Sequence, residues 1–256
     1  MVPITRVWRR PATLLGVGMA TMMGVGQAAI DPAAEQVLRS AGAYLAGADS
    51  FRFQADVSVD EKHDSGLWLE YSLHYRIAVQ RPDRLRATVT RPGETTEIWY
   101  DGETFTVLAP DRGVFVQLPV TGSLDGALDT AMAQSGHAVP LARLLYEESL
   151  LPLLNMAEDG FLVGTDLVAG TAAWHLAFRG EDRNWQLWVD DGAVPLLLKG
   201  IITYTGEEDE HRYRVEFSDW DLATPLAPGA FEFVAPAGAQ SLEEAMIVDE
   251  EEAQGQ

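Results

Sequence analysis

A two-residue alternation of apolar and polar side chains constrains the fold of this chain more than any other feature. In residues 51–60 every odd-numbered position is apolar and every even-numbered position is polar. Residues 67–80 and 84–90 also keep apolar side chains on their odd-numbered positions. Because successive side chains of a β-strand point to opposite faces, this pattern predicts antiparallel strands with one apolar and one polar face.

Shorter segments extend the same sheet. Further strands are predicted at residues 94–100, 104–108, 114–118, 172–179, 184–190, 194–205, 211–220 and 231–234. An open flat sheet of about eleven strands with one apolar face would aggregate, so the sheet has to curl and cover that face. The sequence therefore predicts an α+β fold, a strongly curved antiparallel half-barrel with helices covering its concave face.

Two segments can supply this cover. Asp31 is a favourable N-cap, Pro32 suits the first helical position, and Gly47 can end the helix that follows. The alternation then breaks in an insert at residues 121–159, which includes a leucine-rich stretch too apolar for a surface connection. We expect this insert to form a helical lid, and residues 30–240 to form a single domain.

The chain ends indicate where the protein functions. Arg6, Arg9 and Arg10 precede an uncharged stretch and a small-residue site, Gly26-Gln27-Ala28, which predicts a cleavable signal peptide at residues 1–28. An uncleaved membrane anchor is the alternative. Residues 241–256 are strongly acidic and are predicted to be a mobile tail. We therefore expect a soluble periplasmic protein.

Composition and motifs exclude several functions. The formal net charge of -21 argues against nucleic-acid binding, which needs a basic surface. The absence of cysteine excludes disulfides, thiolate catalysis and zinc–cysteine sites. The histidines lack metal-ligand spacing, and no nucleophile elbow, phosphate loop or dinucleotide fingerprint is present. We expect a protein that is not an enzyme and has no cofactor or metal, with a hydrolase as the least favoured alternative.

Several local segments carry a family resemblance. They are Arg81-Pro82-Asp83-Arg84-Leu85-Arg86, Trp99-Tyr100-Asp101-Gly102-Glu103-Thr104-Phe105, Pro140-Leu141-Ala142-Arg143-Leu144-Leu145, His175-Leu176-Ala177-Phe178-Arg179, Trp185-Gln186-Leu187-Trp188-Val189-Asp190 and Ile202-Thr203-Tyr204-Thr205. In this order they resemble a family of predicted periplasmic proteins of uncharacterised function, distantly similar to the LolA-type lipoprotein carriers. The resemblance covers nearly the whole chain after residue 28. It implies a LolA-like half-barrel that holds acyl chains of lipids or lipoproteins beneath a helical lid.

The predicted ligand site is apolar. The expected walls are Phe53, Leu69, Tyr71, Leu73, Tyr75, Leu85, Val89, Trp185 and Leu187. The expected lid residues are Leu141, Leu144, Leu145, Leu150, Leu151, Leu153 and Leu154. In one interpretation the lid yields to the acyl chain of a lipid or an acylated protein. In the other, these side chains close-pack as an ordinary core.

A second predicted surface would bind a headgroup or a partner. Arg76, Arg84 and Arg86 share the polar faces of neighbouring strands, where they meet an anionic group or pair with carboxylates across the sheet. The side chains of Trp68, Trp99 and Trp188 are out of phase with the apolar face and predict an outward aromatic row, unless another segment covers them. A carrier or chaperone is thus the first functional hypothesis. The alternative is a sensor or regulatory module that binds an inner- or outer-membrane protein.

Overall fold

A computed structural model describes residues 30–135, 139–206, 210–227 and 229–242. The predicted signal peptide and all of the acidic tail beyond residue 242 lie outside these residues. The predicted boundary at residue 240 falls inside a short strand, Gln240–Ser241. None of the helices in the described part of the chain is long and apolar enough to cross a membrane.

The helices follow the predicted start and stop signals. Helix α1 spans Pro32–Ala46, with the Asp31 carboxylate accepting a 2.9 Å hydrogen bond from the Ala33 N–H and with Gly47 at its C-cap. The insert contains α2 (Leu124–Ser135), a 3-10 helix (Pro140–Leu145) and the short α3 (Pro152–Met156). We call residues 139–156 the lid.

Twelve strands form one open sheet in the described part of the chain. They are β1 (Ser50–Lys62), β2 (Trp68–Gln80), β3 (Arg84–Arg91), β4 (Glu94–Tyr100), β5 (Thr104–Ala109), β6 (Val114–Pro119), β7 (Asp159–Val168), β8 (Thr171–Arg179), β9 (Arg183–Asp190), β10 (Leu197–Tyr204), β11 (His211–Asp221) and β12 (Gln240–Ser241). Their order is β12-β6-β5-β4-β3-β2-β1-β11-β10-β9-β8-β7, so β12 and β7 are the two edges. All pairings are antiparallel except that of β12 with β6.

The central pairing joins two ends of the chain. Strand β1 lies between β2, its hairpin partner, and β11, which follows it by about 160 residues. Val57, for example, is opposite Leu73 on one side and Val215 on the other. Two meanders, β1–β6 and β7–β11, therefore meet along β1 and β11 to make one sheet.

The apolar face of this sheet packs against the helices in one continuous core. The core runs from Leu85 and Tyr100 on one side to Leu176 and Phe178 on the other, and it includes side chains of α1, α2 and the lid. Such a core requires the sheet to wrap around its helices. The predicted half-barrel fold class, with helices on the covered face, is confirmed.

One strand was not predicted, and one predicted strand does not form. Residues 159–168 form β7, although Gly160 and Gly164 interrupt the alternation there and Gly164 adopts a φ of 140° beside a bulge. Residues 231–234 do not form a strand. Phe231 is buried, and the Phe233 ring packs 5.0 Å from Trp99 and 5.1 Å from Phe115 on the outer face of the sheet. The segment therefore packs on the sheet through Phe233 and does not extend it.

Candidate functional site

An apolar cavity of about 240 Å³ lies between the lid and strands β9, β10 and β11. Its sheet side is lined by Arg183, Trp185, Leu187, Leu197, Gly200, Ile201, Ile202, Tyr204, Tyr213, Val215 and Phe217. Its helical side is lined by Met132, Val139, Pro140, Leu141, Ala142, Arg143, Leu144, Tyr146, Leu150, Leu153 and Met156. The exposure of Val139 and Met156 indicates that the cavity opens near the two ends of the lid.

The strand register explains the floor of the cavity. Tyr213, Ile202 and Trp185 are cross-strand neighbours in one row. In the next row, Gly200 lies between Val215 and Leu187, so the central position of that row has no side chain. A Cβ at Gly200 would lie 3.2 Å from Val215 Cγ1 and 3.5 Å from Leu187 Cδ2. The absence of a side chain at Gly200 thus leaves space between this part of the sheet and the 3-10 helix.

The lid is built from short elements because prolines divide it. Pro140 and Pro152 each begin a helical segment of six residues or fewer, and neither segment has a side-chain hydrogen bond at its N-cap. Between them, Ser149 has a φ of 49°, a left-handed conformation that is unfavourable for a residue other than glycine. Such a lid has little local stability of its own and depends on packing and on a few anchoring contacts.

Arg81 supplies the main polar anchor of the lid. Its guanidinium donates to the carbonyl of Leu145 at 3.0 Å and to that of Tyr146 at 2.9 Å. Burial lowers the pKa of Arg81, while the carboxylates of Asp125 and Glu147 oppose this effect. The Tyr146 hydroxyl also donates to Asp129 of α2. One side of the lid is therefore tied to both α2 and the β2–β3 turn.

The polar groups of the lining are few. Among the described residues that line the cavity, the charged side chains are Arg143 and Arg183, and none is aspartate or glutamate. The indole N–H of Trp185 and the hydroxyl of Tyr213 are buried, and neither hydrogen has an acceptor in the described part of the chain. Burial raises the pKa of Tyr213, and the Leu141 backbone N–H, which interacts with the Tyr213 oxygen, opposes this effect. The cavity thus offers hydrogen-bond donors in an otherwise apolar lining.

The structure brings together part of the predicted ligand site. Trp185 and Leu187 of the wall meet Leu141, Leu144, Leu150 and Leu153 of the lid around the cavity. Phe53, Leu85, Leu145 and Leu154 are buried in the core away from the cavity lining. Leu151 is half-buried and packs against α1, where a Cβ at Gly42 would lie 3.0 Å from its Cδ2 atom. Leu73, Tyr75 and Val89 are half-buried in the sheet.

Leu69 and Tyr71 lie beyond the covered part of the sheet. Their side chains are 37% and 45% exposed, respectively. The register nevertheless connects them to the cavity, since Tyr71 is opposite Val59, and Val59 is opposite Tyr213. The concave face therefore carries an apolar row from the cavity floor to an exposed hairpin.

The predicted arginine surface is mostly engaged within the sheet. Arg84 lies 3.4 Å from the Asp83 carboxylate, and Arg86 donates to Glu97 at 2.7 Å and stacks 4.0 Å above the Trp99 ring. Arg76 is exposed, and no carboxylate in the described ranges forms an ion pair with it. Arg86 thus forms an ion pair across the sheet. Arg84 instead pairs with Asp83, its neighbour in the sequence.

The three tryptophans do not form the predicted aromatic row. Trp68, Trp99 and Trp188 lie on β2, β4 and β9; β3 separates β2 from β4, and β1, β11 and β10 lie between β2 and β9. Trp68 stacks on His211 with ring centroids 5.0 Å apart, and Phe233 covers Trp99. Trp188 is buried, with its indole N–H donating to Asp166 at 2.9 Å. Trp99 and Trp188 are thus buried on the outer face of the sheet, and Trp68 is half-buried.

Sequence reasoning missed the part of the site contributed by β10 and β11. Tyr213, Val215 and Phe217 alternate with polar residues, so their pattern already assigned them to the apolar face. The missing information was that β11 pairs with β1 and lies under the lid. Arg143 and Arg183 carried no sequence signal that separated them from other arginines.

A family model described as "Predicted periplasmic protein (DUF2092)" matches residues 34–243. No curated protein matches the chain in sequence.

Three solved structures illustrate the fold similarity. LprF from Mycobacterium bovis is 15% identical, with a TM-score of 0.49, over 83% of this chain and 100% of that one. Lipoprotein LppX from Mycobacterium tuberculosis is 16% identical, with a TM-score of 0.49, over 77% of this chain and 100% of its own. A LolA superfamily protein from Nitrosomonas europaea is 15% identical, with a TM-score of 0.35, over 78% of this chain and 97% of its own. These similarities are too distant to transfer a ligand.

Proposed function

We propose, from the premise that this chain belongs to the DUF2092 family of predicted periplasmic proteins, that it is a non-catalytic binding protein for an acyl chain. The ligand would be a lipid or an acylated protein, and the role that of a carrier or chaperone. Residues 1–28 would direct export and then be removed. The observation that carries the proposal is the cavity between the lid and β9–β11.

The chemistry of the lining supports an alkyl ligand. Most of its side chains are leucine, isoleucine, valine, methionine or aromatic. Each buried methylene of an alkyl chain contributes about 0.8 kcal/mol, so a long tail reaches useful affinity without specific polar contacts. A cavity lined in this way distinguishes ligands by the length and shape of their alkyl chains.

The size of the cavity requires the lid to move. Its volume of about 240 Å³ is smaller than the roughly 300–1,000 Å³ of typical small-molecule sites. A long acyl chain would therefore displace part of the lid, which has short helical segments and no N-cap hydrogen bonds from side chains. The row from Tyr213 through Val59 to Tyr71 offers a path along which the chain can extend. Binding and release would both follow from this opening, driven by the difference in ligand affinity between the open and closed states.

The first experiment is native mass spectrometry of the protein without residues 1–28, purified from periplasm without detergent, followed by solvent extraction and lipid analysis. We expect a bound acyl-containing species. A protein at its bare mass that also fails to take up added hexadecanoic acid would contradict the proposal.

A cavity-filling variant links any bound lipid to this cavity. Gly200→Leu adds a side chain to the floor, and we expect it to abolish uptake while overpacking costs about 1–3 kcal/mol of folding free energy. Ala142 is a buried lining residue, so Ala142→Leu fills the cavity from the lid side. This variant replaces Gly200→Leu in the test if Gly200→Leu misfolds. Gly126→Leu is the matched control, since Gly126 is exposed on α2 and a Cβ there would meet only Ser123 Oγ, at 3.8 Å. Full occupancy in folded variants of both cavity positions would exclude this cavity as the site.

A further inference from the structure

The charged groups at the cavity are unusual for this chain. The sequence has 39 acidic and 18 basic residues, yet the described cavity lining contains two arginines and no carboxylate. Acidic residues are about twice as common as basic residues in the whole chain, whereas the charged residues of the lining are all basic. It makes this opening favourable for an anion, whereas most of the protein surface repels anions.

The two arginines are on opposite walls of the cavity. Arg143 belongs to the 3-10 helix of the lid, and Arg183 begins β9 in the sheet. Both are half-exposed, and each lies against an aromatic ring of the lining. The Arg143 guanidinium carbon is 4.8 Å from the Tyr146 ring centroid, and that of Arg183 is 5.3 Å from the Tyr204 ring centroid. Such stacking holds the planar groups in place and leaves their edges free to donate hydrogen bonds.

The two arginines differ in their acidic neighbours. Arg183 donates twice to the carboxylate of Asp182, with both distances 2.7 Å. Within the described ranges, no carboxylate forms an ion pair with Arg143. Arg143 is therefore the group with unused charge-assisted donors, and Arg183 is a weaker second anchor.

Two buried donors of lining residues have no acceptor among the described residues. The Trp185 indole is 4% exposed and the Tyr213 side chain 7% exposed, and neither polar hydrogen has a partner in the described part of the chain. A buried donor left without a partner costs about 1–3 kcal/mol, and a ligand oxygen would remove that cost. An alkane alone cannot do this, so these groups indicate a ligand with oxygen atoms next to its alkyl chain.

Together these observations identify the chemical class of the ligand, and the inference rests on the proposed function. We infer that the ligand is an anionic amphiphile, an alkyl chain with a carboxylate or phosphate head that binds Arg143 of the lid and Arg183 of the sheet. Its head bridges the two sides of the opening, so binding of the anion also favours closure of the lid. Carboxylate and phosphate share this chemistry, and the experiment below separates them.

The test compares three probes with the same tail and different heads: hexadecanoic acid, hexadecyl phosphate and hexadecanol. Their dissociation constants are measured at low ionic strength by displacement of a neutral fluorescent alkyl probe. For the unmodified protein we expect at least one anionic probe to bind about tenfold more tightly than the alcohol, because an added charge-assisted hydrogen bond contributes about that factor. The tighter of the two anionic probes identifies the preferred head.

Variants assign this preference to the arginines. In Arg143→Gln we expect the advantage of the anionic probe over hexadecanol to fall to about twofold or less, with the affinity for hexadecanol unchanged. Arg179→Gln is the control, because it removes one positive charge from an exposed ion pair with Asp159 outside the cavity lining. We expect it to keep the full preference. Arg143 is half-exposed, so its replacement leaves the fold intact, and the urea midpoint of each variant checks this.

The outcomes separate this inference from the proposed function. Equal binding of hexadecanol and both anionic probes would overturn the inference and leave acyl-chain binding standing. An anionic preference that survives in an Arg143→Gln/Arg183→Gln double variant, or that is lost equally in Arg179→Gln, would also overturn it. Failure of all three probes to bind would instead refute the proposed function.

Discussion

Helix α1 and the lid cover neighbouring parts of the same apolar sheet face, but α1 packs closely on it whereas the lid leaves a cavity. Helix α1 is fifteen residues long, has an N-cap hydrogen bond from Asp31, and contacts β7, β8 and β9. Its inward side chains Ala34 and Leu38 are completely buried. The lid consists of two segments of six residues or fewer and leaves a cavity of about 240 Å³ above β9–β11.

The difference shows that leucine content alone does not make a solid core. A continuous helix presents its apolar side chains in a regular stripe that interdigitates with a sheet. The prolines at residues 140 and 152 break the lid into pieces that cannot present such a stripe, and Gly200 removes a side chain from the floor beneath them. We infer that α1 holds the half-barrel together, whereas the lid is the part of the cover that moves.

Truncation of one leucine in each cover tests this difference most strongly. Leu38→Ala in α1 should lower the free energy of unfolding by about 2–5 kcal/mol, because it opens a new cavity in a close-packed region. Leu153→Ala in the lid should cost about 1 kcal/mol or less, because that side chain is half-buried and borders an existing cavity. Urea unfolding measures both values. Equal losses would mean that the lid is packed as tightly as α1.

Removal of the Arg81 anchor should loosen the lid selectively. Arg81→Met leaves the carbonyls of Leu145 and Tyr146 without their donor, at a cost of about 1–3 kcal/mol. In hydrogen exchange with labelling too brief for global unfolding, we expect amides of the lid such as Ala142 and Ser149 to exchange faster. Amides of α1 should stay protected.

Arg84→Met is the matched control for this anchor, because Arg84 is half-exposed and its ion-pair partner is its neighbour Asp83. It should leave exchange in the lid unchanged. If exchange in the lid is unchanged in Arg81→Met, Arg81 does not hold the lid in place. If amides of α1 also exchange faster on this timescale, the lid is not less stable than α1.

A pair of tyrosines gives the smallest predicted effects, and they have opposite signs. The Tyr100 hydroxyl donates to the Gly122 carbonyl at 2.8 Å, so Tyr100→Phe should destabilise the protein by about 1 kcal/mol. The Tyr213 hydroxyl hydrogen is buried without an acceptor in the described part of the chain, so Tyr213→Phe should stabilise the ligand-free protein by up to about 1 kcal/mol, reduced by the loss of the interaction of its oxygen with the Leu141 N–H. Thermal melts of delipidated protein compare the two variants. A loss of stability in Tyr213→Phe would show that the hydroxyl has a stabilising partner within the protein, either an acceptor or the Leu141 N–H, which would weaken the assignment of Tyr213 as a donor to ligand.

Much of the fold could be predicted from local sequence, because its signals are local. Alternation over residues 51–60 and 67–80 predicted β1 and β2, and the Asp31–Pro32 pair predicted the start of α1. The break in alternation located the lid insert. Strand β7 escaped prediction because Gly160 and Gly164 interrupt its pattern, and the segment around Phe233 was misassigned because apolar residues that cover a sheet resemble residues within one.

The site was harder to predict than the fold, because it depends on contacts between distant segments. Of the predicted site residues, Leu141, Leu144 and Leu150 of the lid and Trp185 and Leu187 of β9 line the cavity. The rest of the predicted wall was drawn from β1–β3, whereas the cavity is formed with β10 and β11. Hydrophobic periodicity indicates which face of a strand is buried, but it does not indicate which strands are neighbours or what covers them.

The sequence by itself determined the type of sheet, the face of each regular strand that is buried, the position of the helices, and the acidic character of the chain. Tertiary structure alone decided that β11 pairs with β1, that Gly200 lies under the lid, and that Arg143 and Arg183 line the same cavity. The physical reason is that alternation and capping depend on residues a few positions apart. A cavity, in contrast, is the small volume left when segments far apart in the chain pack imperfectly, and no local pattern encodes that difference.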